Sequence, residues 1–125
     1  SQMHASGIGK ALLSLYSEHG LNRFLREQHL TAFTAKTLCD PDAIRHDMAQ
    51  ARDQGFAVDD EEKTLGMRCV AAPIVNFYGE AVAGISVSGP VSRLTSERIA
   101  KVAAQVKAAA AEVSRGLGAD TPEPQ

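Results

Sequence analysis

LGMRCVAAPIV (residues 65–75), NFYGE (residues 76–80) and AVAGISVSGP (residues 81–90) follow one another in the second half of the chain. The first and third segments are rich in apolar and β-branched residues, whereas the middle one is short, largely polar and contains a glycine. Two β-rich runs joined by such a link predict a β-hairpin. We therefore expect the rest of the fold to be built around this hairpin.

Three small polar side chains lie within the two apolar runs: Cys69, Ser86 and Ser88. Side chains alternate between the two faces of a strand, so Ser86 and Ser88 must share one face. Buried hydroxyl groups need hydrogen-bond partners. Either neighbouring side chains or a small polar ligand would supply them.

Length and composition set the class of protein. With 125 residues, 44% of them hydrophobic and 22% charged, the chain matches one soluble globular domain. Its formal net charge is −2 and its Lys and Arg residues form no cluster, which argues against direct contact with nucleic acid. No apolar run is long enough to span a bilayer, and no signal peptide opens the sequence. We expect a cytoplasmic protein without membrane contact.

Cysteine usage agrees with a reducing compartment. Cys39 and Cys69 are the two cysteines, and their spacing matches no zinc or redox motif. Two free thiols are the expected state, with a disulfide between them left open. The four histidines are scattered without metal-ligand spacing, so no metal is expected.

The first predicted helix begins after Ser6, which has the side chain of an N-cap. Its apolar residues at helical spacing are Ile8, Leu12 and Leu15. Gly7 and Gly9 disfavour a helix by their propensity, so they need another reason. Two readings are open: close packing against a strand, or a small carboxylate held by the N–H groups of the helix start.

Local signals place the remaining elements. A short helix is predicted over residues 21–27, with Leu21, Phe24 and Leu25 inward. Asp40 and Pro41 predict the start of a helix that ends at Gly55, with its buried stripe at Ile44, Met48 and Ala51. A brief strand covers residues 56–59. The last helix is expected to be capped by Thr95 and to bury Ile99, Val102, Val106, Ala109 or Ala110, and Val113. Residues 119–125 should form a disordered tail.

The acidic run at residues 59–62, DDEE, has two readings. By composition it is more often a solvated turn than a site of chemistry. Asp59 ends the short strand, and alternation makes it the member that best points inward. Paired carboxylates would suit acid–base catalysis or a metal site. Cys69 has no histidine near it in sequence, so as a lone residue it is most simply a small buried side chain.

Four motifs in order resemble the C-terminal effector-binding domain of the IclR family of bacterial transcription regulators. They are HASGIGKALL (residues 4–13), QARDQGFAVDDEE (50–62), LGMRCVAAP (65–73) and ISVSGP (85–90). The resemblance implies an α/β (α+β), GAF-like fold, an antiparallel sheet flanked by helices, over residues 1–118. Family domains normally begin with strands upstream of His4, so we expect the sheet of this chain to lack its first strands.

The resemblance also implies a ligand and its contacts. In relatives that sense 2-oxo acids such as glyoxylate or pyruvate, the ligand lies between a helix start and polar side chains of the sheet. Carried over, the ligand-binding residues are Gly7, Ile8, Asp59, Met67, Cys69, Ser86 and Ser88. Ile8 stands where those relatives have a small residue, which would reshape the pocket. No cofactor and no catalytic residue is implied.

The family likeness implies further partners as well. Operator DNA would be bound through an N-terminal winged helix-turn-helix that is not in this chain, and the regulator would be a dimer or tetramer. Two alternatives stay open from the residues. One is an enzyme acting on a carboxylate, with Cys69 as nucleophile and Asp59 as acid or base. The other is an assembly module that uses the alanine-rich last helix as its contact surface.

Overall fold

A computed structural model of the protein describes residues 2–119. The helices are α1 (Gly7–Leu13), α2 (Glu18–Glu27), α3 (Pro41–Gln54) and α4 (Ile99–Gly116), the last preceded by a 3₁₀ turn at Ser96–Arg98. The strands are β1 (Ala57–Asp60), β2 (Met67–Val75) and β3 (Ala81–Pro90). The predicted tail lies outside the described residues from position 120 onward. Within residues 2–119 no helix is both long and apolar enough to cross a membrane.

The predicted hairpin is confirmed and lies in an antiparallel sheet with the order β1-β2-β3. Helix α1 packs on one face of this sheet and α4 on the other. This is the expected α+β arrangement of an antiparallel sheet flanked by helices. The expectation of further strands upstream of His4 stays a prediction.

Each face of the sheet has its own core. On the α4 side, strand residues Val70, Ala72 and Ile74 pack under Ala103, Val106 and Ala110 of the helix. On the α1 side the core is made of alanines, at positions 11, 51, 57 and 71. Because alanine side chains are short, α1 and α3 approach the strands closely. A third cluster joins α1, α2 and α3 through Leu13, Phe24, Leu25, Ile44 and Met48.

The caps of α1 and α3 are as predicted. Ser6 accepts a hydrogen bond from the N–H of Gly9 at 3.0 Å, and Asp40 accepts one from Ala43 at 3.0 Å. Helix α3 ends at Gly55, whose φ of 86° is left-handed. Helix α2 starts earlier than expected, because Ser17 caps it.

The apolar residues of α1 at helical spacing do not form its most buried face. Ile8 is 37% exposed, and the residues turned inward are Gly7, Lys10, Ala11 and Leu13. At Gly7 the helix lies too close to the sheet for any side chain. A Cβ at Gly7 would lie 2.5 Å from the sulfur of Cys69. The close-packing explanation of this glycine is therefore confirmed.

The predicted stripe of α4 was wrong at its end. Val113 is 43% exposed, and Ser114 is buried in its place. The Ser114 hydroxyl accepts a hydrogen bond from the N–H of Val75 at 3.0 Å, next to a register shift between Ile74 and Val75. A polar residue is needed there because the shifted strand leaves a buried donor that must be satisfied.

We expect Gly9→Ala to lower the free energy of unfolding by about 2–3 kcal/mol, since the new methyl group would overpack a rigid site. Its Cβ would lie 2.4 Å from the Cα of Met3 and 2.6 Å from its carbonyl oxygen, and main-chain atoms cannot rotate away. Gly116→Ala in α4 is the matched control, because a Cβ there meets no atom within 4 Å. Urea denaturation should find the control as stable as wild type or slightly more so. Equal stability of the two variants would contradict this packing.

Candidate functional site

Three of the predicted site residues form one row across the sheet. The register pairs Asp59 with Cys69 and Cys69 with Ser88. Residues paired in this way project their side chains to the same face. Ser86 and Met67 lie two positions from members of the row, so they project to that face as well.

Exposure to solvent changes along this row. The Asp59 side chain is only 7% exposed, Cys69 and Ser86 are half-buried, and Ser88 is exposed. Met67, at 39%, is also exposed. The row therefore runs from a sheltered carboxyl group on β1 to an open hydroxyl group on β3.

The first turn of α1 lies over the same face. Gly7 abuts Cys69, and the Cγ2 atom of Ile8 would be 3.0 Å from a Cβ placed at Gly84. The bulk of Ile8 fits because residue 84 has no side chain. The structure thus brings all seven predicted residues to one face of the sheet, with α1 above and the strands below.

Asp59 is held by main-chain donors. Its Oδ1 accepts hydrogen bonds from the N–H groups of Glu62 at 2.8 Å and Lys63 at 3.2 Å. Burial raises the pKa of the Asp59 carboxyl group; these two hydrogen bonds and the charges of Lys10 and Lys63 oppose that rise without cancelling it. A carboxyl group kept in an unfavourable environment is typical of a binding or catalytic position.

We expect Asp59→Asn to be more stable than wild type at neutral pH, by about 0.5–2 kcal/mol, as stabilising substitutions commonly are. The amide oxygen can still accept both main-chain hydrogen bonds, while the buried charge is gone. Because the folded-state pKa of Asp59 is raised, its destabilising effect develops as pH rises from the unfolded pKa through the folded one. The stability difference between the two proteins should therefore grow with pH and vanish in acid. Chemical denaturation over a pH series measures this; a difference that grows in acid instead would contradict it.

Lys10 is a buried charge that the sequence analysis did not single out. Its side chain is 2% exposed, and its ammonium group donates to Asp47 Oδ2 at 2.7 Å, to the Val58 carbonyl at 3.2 Å and to Glu62 Oε2. Burial raises the pKa of the Glu62 carboxyl group, and the charge and hydrogen bond of Lys10 oppose this. An ion cluster thus joins α1, α3 and the turn after β1.

The acidic run is therefore not a solvated turn. Asp59 and Glu62 are buried, Asp60 pairs with Arg68 at 3.0 Å, and Glu61 pairs with Lys36. Glu61 has a φ of 61°, the one left-handed residue other than glycine among residues 2–119. All four carboxylates have defined partners, so the run shapes the turn that holds Asp59.

His4 is a second buried polar side chain that the sequence left unassigned. Its Nε2 donates to the Thr31 carbonyl at 2.7 Å, and its ring stacks on Phe33 with 5.9 Å between centroids. The other ring nitrogen, Nδ1, is buried and has no hydrogen-bond partner within the described part of the chain. This histidine ties the segment before α1 to the loop before α3.

Other features lie apart from this face. A groove of about 370 Å³ lies between α1, α2 and α3, lined by Leu13, Tyr16, Met48 and Arg52 among others, and contains none of the seven predicted residues. Both cysteines are free thiols, as expected. Within residues 2–119 no group of three or more His, Cys, Asp or Glu side chains is placed to hold a metal ion.

Sequence signals for the missed residues were present but weak. Lys10 lies three residues after Gly7 and next to Ala11, two small residues that allow α1 to approach the sheet. A lysine on such a face is buried when a carboxylate is available nearby. Four consecutive acids were the complementary signal, but nothing local shows that Glu62 folds back toward α1.

Comparison with known proteins bears on what this face does. The family model described as "Bacterial transcriptional regulator IclR C-terminal" matches residues 1–115. Among curated proteins, the chain is 51% identical over 117 residues to the HTH-type transcriptional regulator BhcR of Paracoccus denitrificans, covering 94% of this chain and 42% of that protein. It is 45% identical over 116 residues to the transcriptional repressor IclR of Escherichia coli, covering 93% of this chain and 42% of that protein.

The fold has solved counterparts too. The crystal structure of the Thermotoga maritima IclR superposes with a TM-score of 0.89 at 34% identity, covering 93% of this chain and 47% of that one. The chain thus spans less than half the length of each of these three proteins. These relatives are transcriptional regulators, not enzymes.

Proposed function

Because the chain belongs to the IclR family of bacterial transcriptional regulators, we propose that its polar sheet face binds a small carboxylate effector, a 2-oxo acid such as glyoxylate or pyruvate. The observation that carries this proposal is the row of Asp59, Cys69 and Ser88 beneath the first turn of α1. Its polar groups are close together, and their exposure to solvent increases from Asp59 to Ser88. A compact acid could therefore enter from the Ser88 end.

Each group has a distinct role in the proposed complex. The effector carboxylate accepts hydrogen bonds from the N–H groups at Gly7 and Ile8 and from the hydroxyl groups of Ser86 and Ser88. Hydrogen bonds to a charged acceptor are stronger than those between neutral groups. Asp59 accepts from a hydroxyl or hydrate of the effector when ionised, or donates to its carbonyl oxygen when protonated.

Ile8 and Gly84 restrict the size of the effector. The isoleucine occupies the space that a side chain at residue 84 would need, so the face is narrowed from the β3 side. This favours an acid of few carbon atoms over a long or aromatic one. Ile8→Ala should accordingly widen the range of acids accepted.

Binding would act on the whole regulator through its conformational or oligomeric equilibrium. An effector shifts such an equilibrium only by its difference in affinity for the two states. We propose that the full regulator binds operator DNA through a winged helix-turn-helix outside this chain, that it is a dimer or tetramer, and that the effector alters operator affinity.

Calorimetric titration of the intact protein with glyoxylate, pyruvate and a panel of sugar acids tests the proposal. We expect one of the 2-oxo acids to bind, and Ser86→Ala with Ser88→Ala to weaken that binding. Ser92→Ala is the matched control, because this exposed serine follows β3 and lies outside the predicted set. The acid that binds should also change operator affinity in a gel-shift assay. Absence of heat with every acid would refute the proposal.

A further inference from the structure

The ammonium group of Lys10 is shared among three segments of the fold. Asp47 belongs to α3, Val58 to β1 and Glu62 to the turn after β1, while Lys10 itself is in α1. All three N–H donors of a lysine can be satisfied by three such acceptors. The side chain is therefore fixed in one orientation at the point where the three segments meet.

Glu62 extends this connection to the proposed site. Its carboxylate accepts from Lys10, and its main-chain N–H donates to Asp59 Oδ1 at 2.8 Å. One residue thus contacts the buried lysine with its side chain and the site carboxylate with its backbone. A shift of the Glu62 main chain would move one of the two donors that orient Asp59.

We infer that Lys10 is a positioning residue of the proposed effector site: through Glu62 it fixes the Asp59 carboxylate beside Cys69. This inference rests on the proposed function. Lys10 does not touch the effector. Its role differs from that of an ordinary buried ion pair, because its loss should alter the pH dependence of binding as well as the stability of the fold.

The charges around Asp59 explain why pH is informative. Four groups face the Asp59 carboxyl group, and they are Lys10 of α1, Glu62 and Lys63 of the turn, and the Cys69 thiol of β2. Asp47 of α3 contacts Lys10 and so acts on Asp59 indirectly. Lys10 and Lys63 both lower the pKa of Asp59. Without Lys10 the Asp59 carboxyl group would hold its proton to higher pH.

The test is the affinity for glyoxylate, or for whichever 2-oxo acid binds the intact wild-type protein, measured over the pH range in which carboxyl groups titrate. In Lys10→Met we expect the affinity for the acid to fall by about tenfold. Loss of a residue that orients a metal ligand lowers affinity by about 10- to 100-fold, and we take the lower end of that range for this site. We also expect the midpoint of the pH profile to move to higher pH, whether Asp59 binds the acid ionised or protonated. Lys36→Met is the control: it breaks the exposed pair with Glu61 in the same turn, and should change neither quantity.

A second variant covers the case in which Lys10→Met fails to fold. Lys10→Met with Glu62→Leu replaces the buried charge pair by apolar groups, which proteins commonly tolerate, and it keeps the main-chain N–H of residue 62. The same loss of affinity is expected, with a smaller upward move of the midpoint, because the negative charge of Glu62 is removed together with the positive charge of Lys10. If the wild-type protein binds an acid and both variants keep its affinity and its pH midpoint, the proposed role of Lys10 is overturned. The effector proposal would still stand in that case. A wild-type protein that binds none of the acids would overturn the effector proposal itself.

Discussion

Lys10→Met is expected to lower the free energy of unfolding by about 3–5 kcal/mol, the typical result of removing one partner of a buried ion pair. The lysine is 2% exposed, so its removal leaves the carboxylates of Glu62 and Asp47 without their cation. Most of the loss in free energy comes from Glu62, which is buried, because water cannot reach its carboxylate to replace the lost hydrogen bond. Asp47 is nearer the surface and is less affected.

Urea denaturation at neutral pH measures this loss, and two further variants test its cause. Lys10→Met with Glu62→Leu should recover most of the stability, since the buried carboxylate is removed and the one left unpaired, Asp47, is partly exposed to water. Lys36→Met should stay close to wild type, because its ion pair with Glu61 lies on the surface. If the double variant were as unstable as Lys10→Met, the loss would come from packing around the lysine stem and not from the stranded charge.

Stability at low pH gives an independent check on the same cluster. Burial raises the pKa of Glu62 and of Asp59, so both carboxyl groups oppose folding more strongly as pH rises through their folded-state values. In Lys10→Met the pKa of Glu62 should rise further. Acid should therefore restore part of the lost stability in this variant, because protonation removes the unpaired charge of Glu62.

Elements marked by local chemistry were predictable from the sequence. The polar link at residues 76–80 predicted the hairpin, and Asp40, Pro41 and Gly55 predicted both ends of α3. Each of these signals acts through the backbone of its own few residues: a cap, a fixed φ or a left-handed conformation. No knowledge of the tertiary fold is required for them.

Burial depended on distant contacts and was predicted less well. The apolar spacing of α1 does not mark its most buried face, because Gly7 packs directly against Cys69 and the ammonium group of Lys10 has buried acceptors. The burial of Lys10 was not predicted, because its acceptors are up to 52 residues away in sequence. Nothing local to a helix shows that such partners exist.

The polar face was predictable in part. Alternation along β3 placed Ser86 and Ser88 together, and the same argument turned Asp59 inward. That Asp59, Cys69 and Ser88 share one row follows from the register, which depends on the length and conformation of two turns. The place of Ile8 and Met67 in the predicted set came from the family resemblance alone. Their geometry beside Gly84 and Cys69 could not have been obtained from residue patterns.

The largest effect on binding is expected for Gly7→Ala, about a 100-fold loss of effector affinity, equivalent to one or two charge-assisted hydrogen bonds of roughly 1.5–3 kcal/mol each. The new methyl group would lie 2.5 Å from the sulfur of Cys69 and 3.2 Å from its Cβ. Either the thiol rotates out of the row or the start of α1 lifts from the sheet. Both outcomes disrupt the space proposed for the acid.

Cys69→Ala separates these effects, because it removes the sulfur that the methyl group would strike. Gly7→Ala alone should lose about 1–3 kcal/mol of stability to overpacking, and the added Cys69→Ala change should recover most of it. Calorimetry should nevertheless find that the double variant binds the effector no better than Gly7→Ala, since it also lacks the Cys69 thiol of the proposed binding set. Recovery of both stability and binding would mean that the acid lies elsewhere on the face. Wild-type affinity in Gly7→Ala would exclude the start of α1 from the effector site. The displaced N–H groups of Gly7 and Ile8 could not keep their hydrogen bonds to the acid.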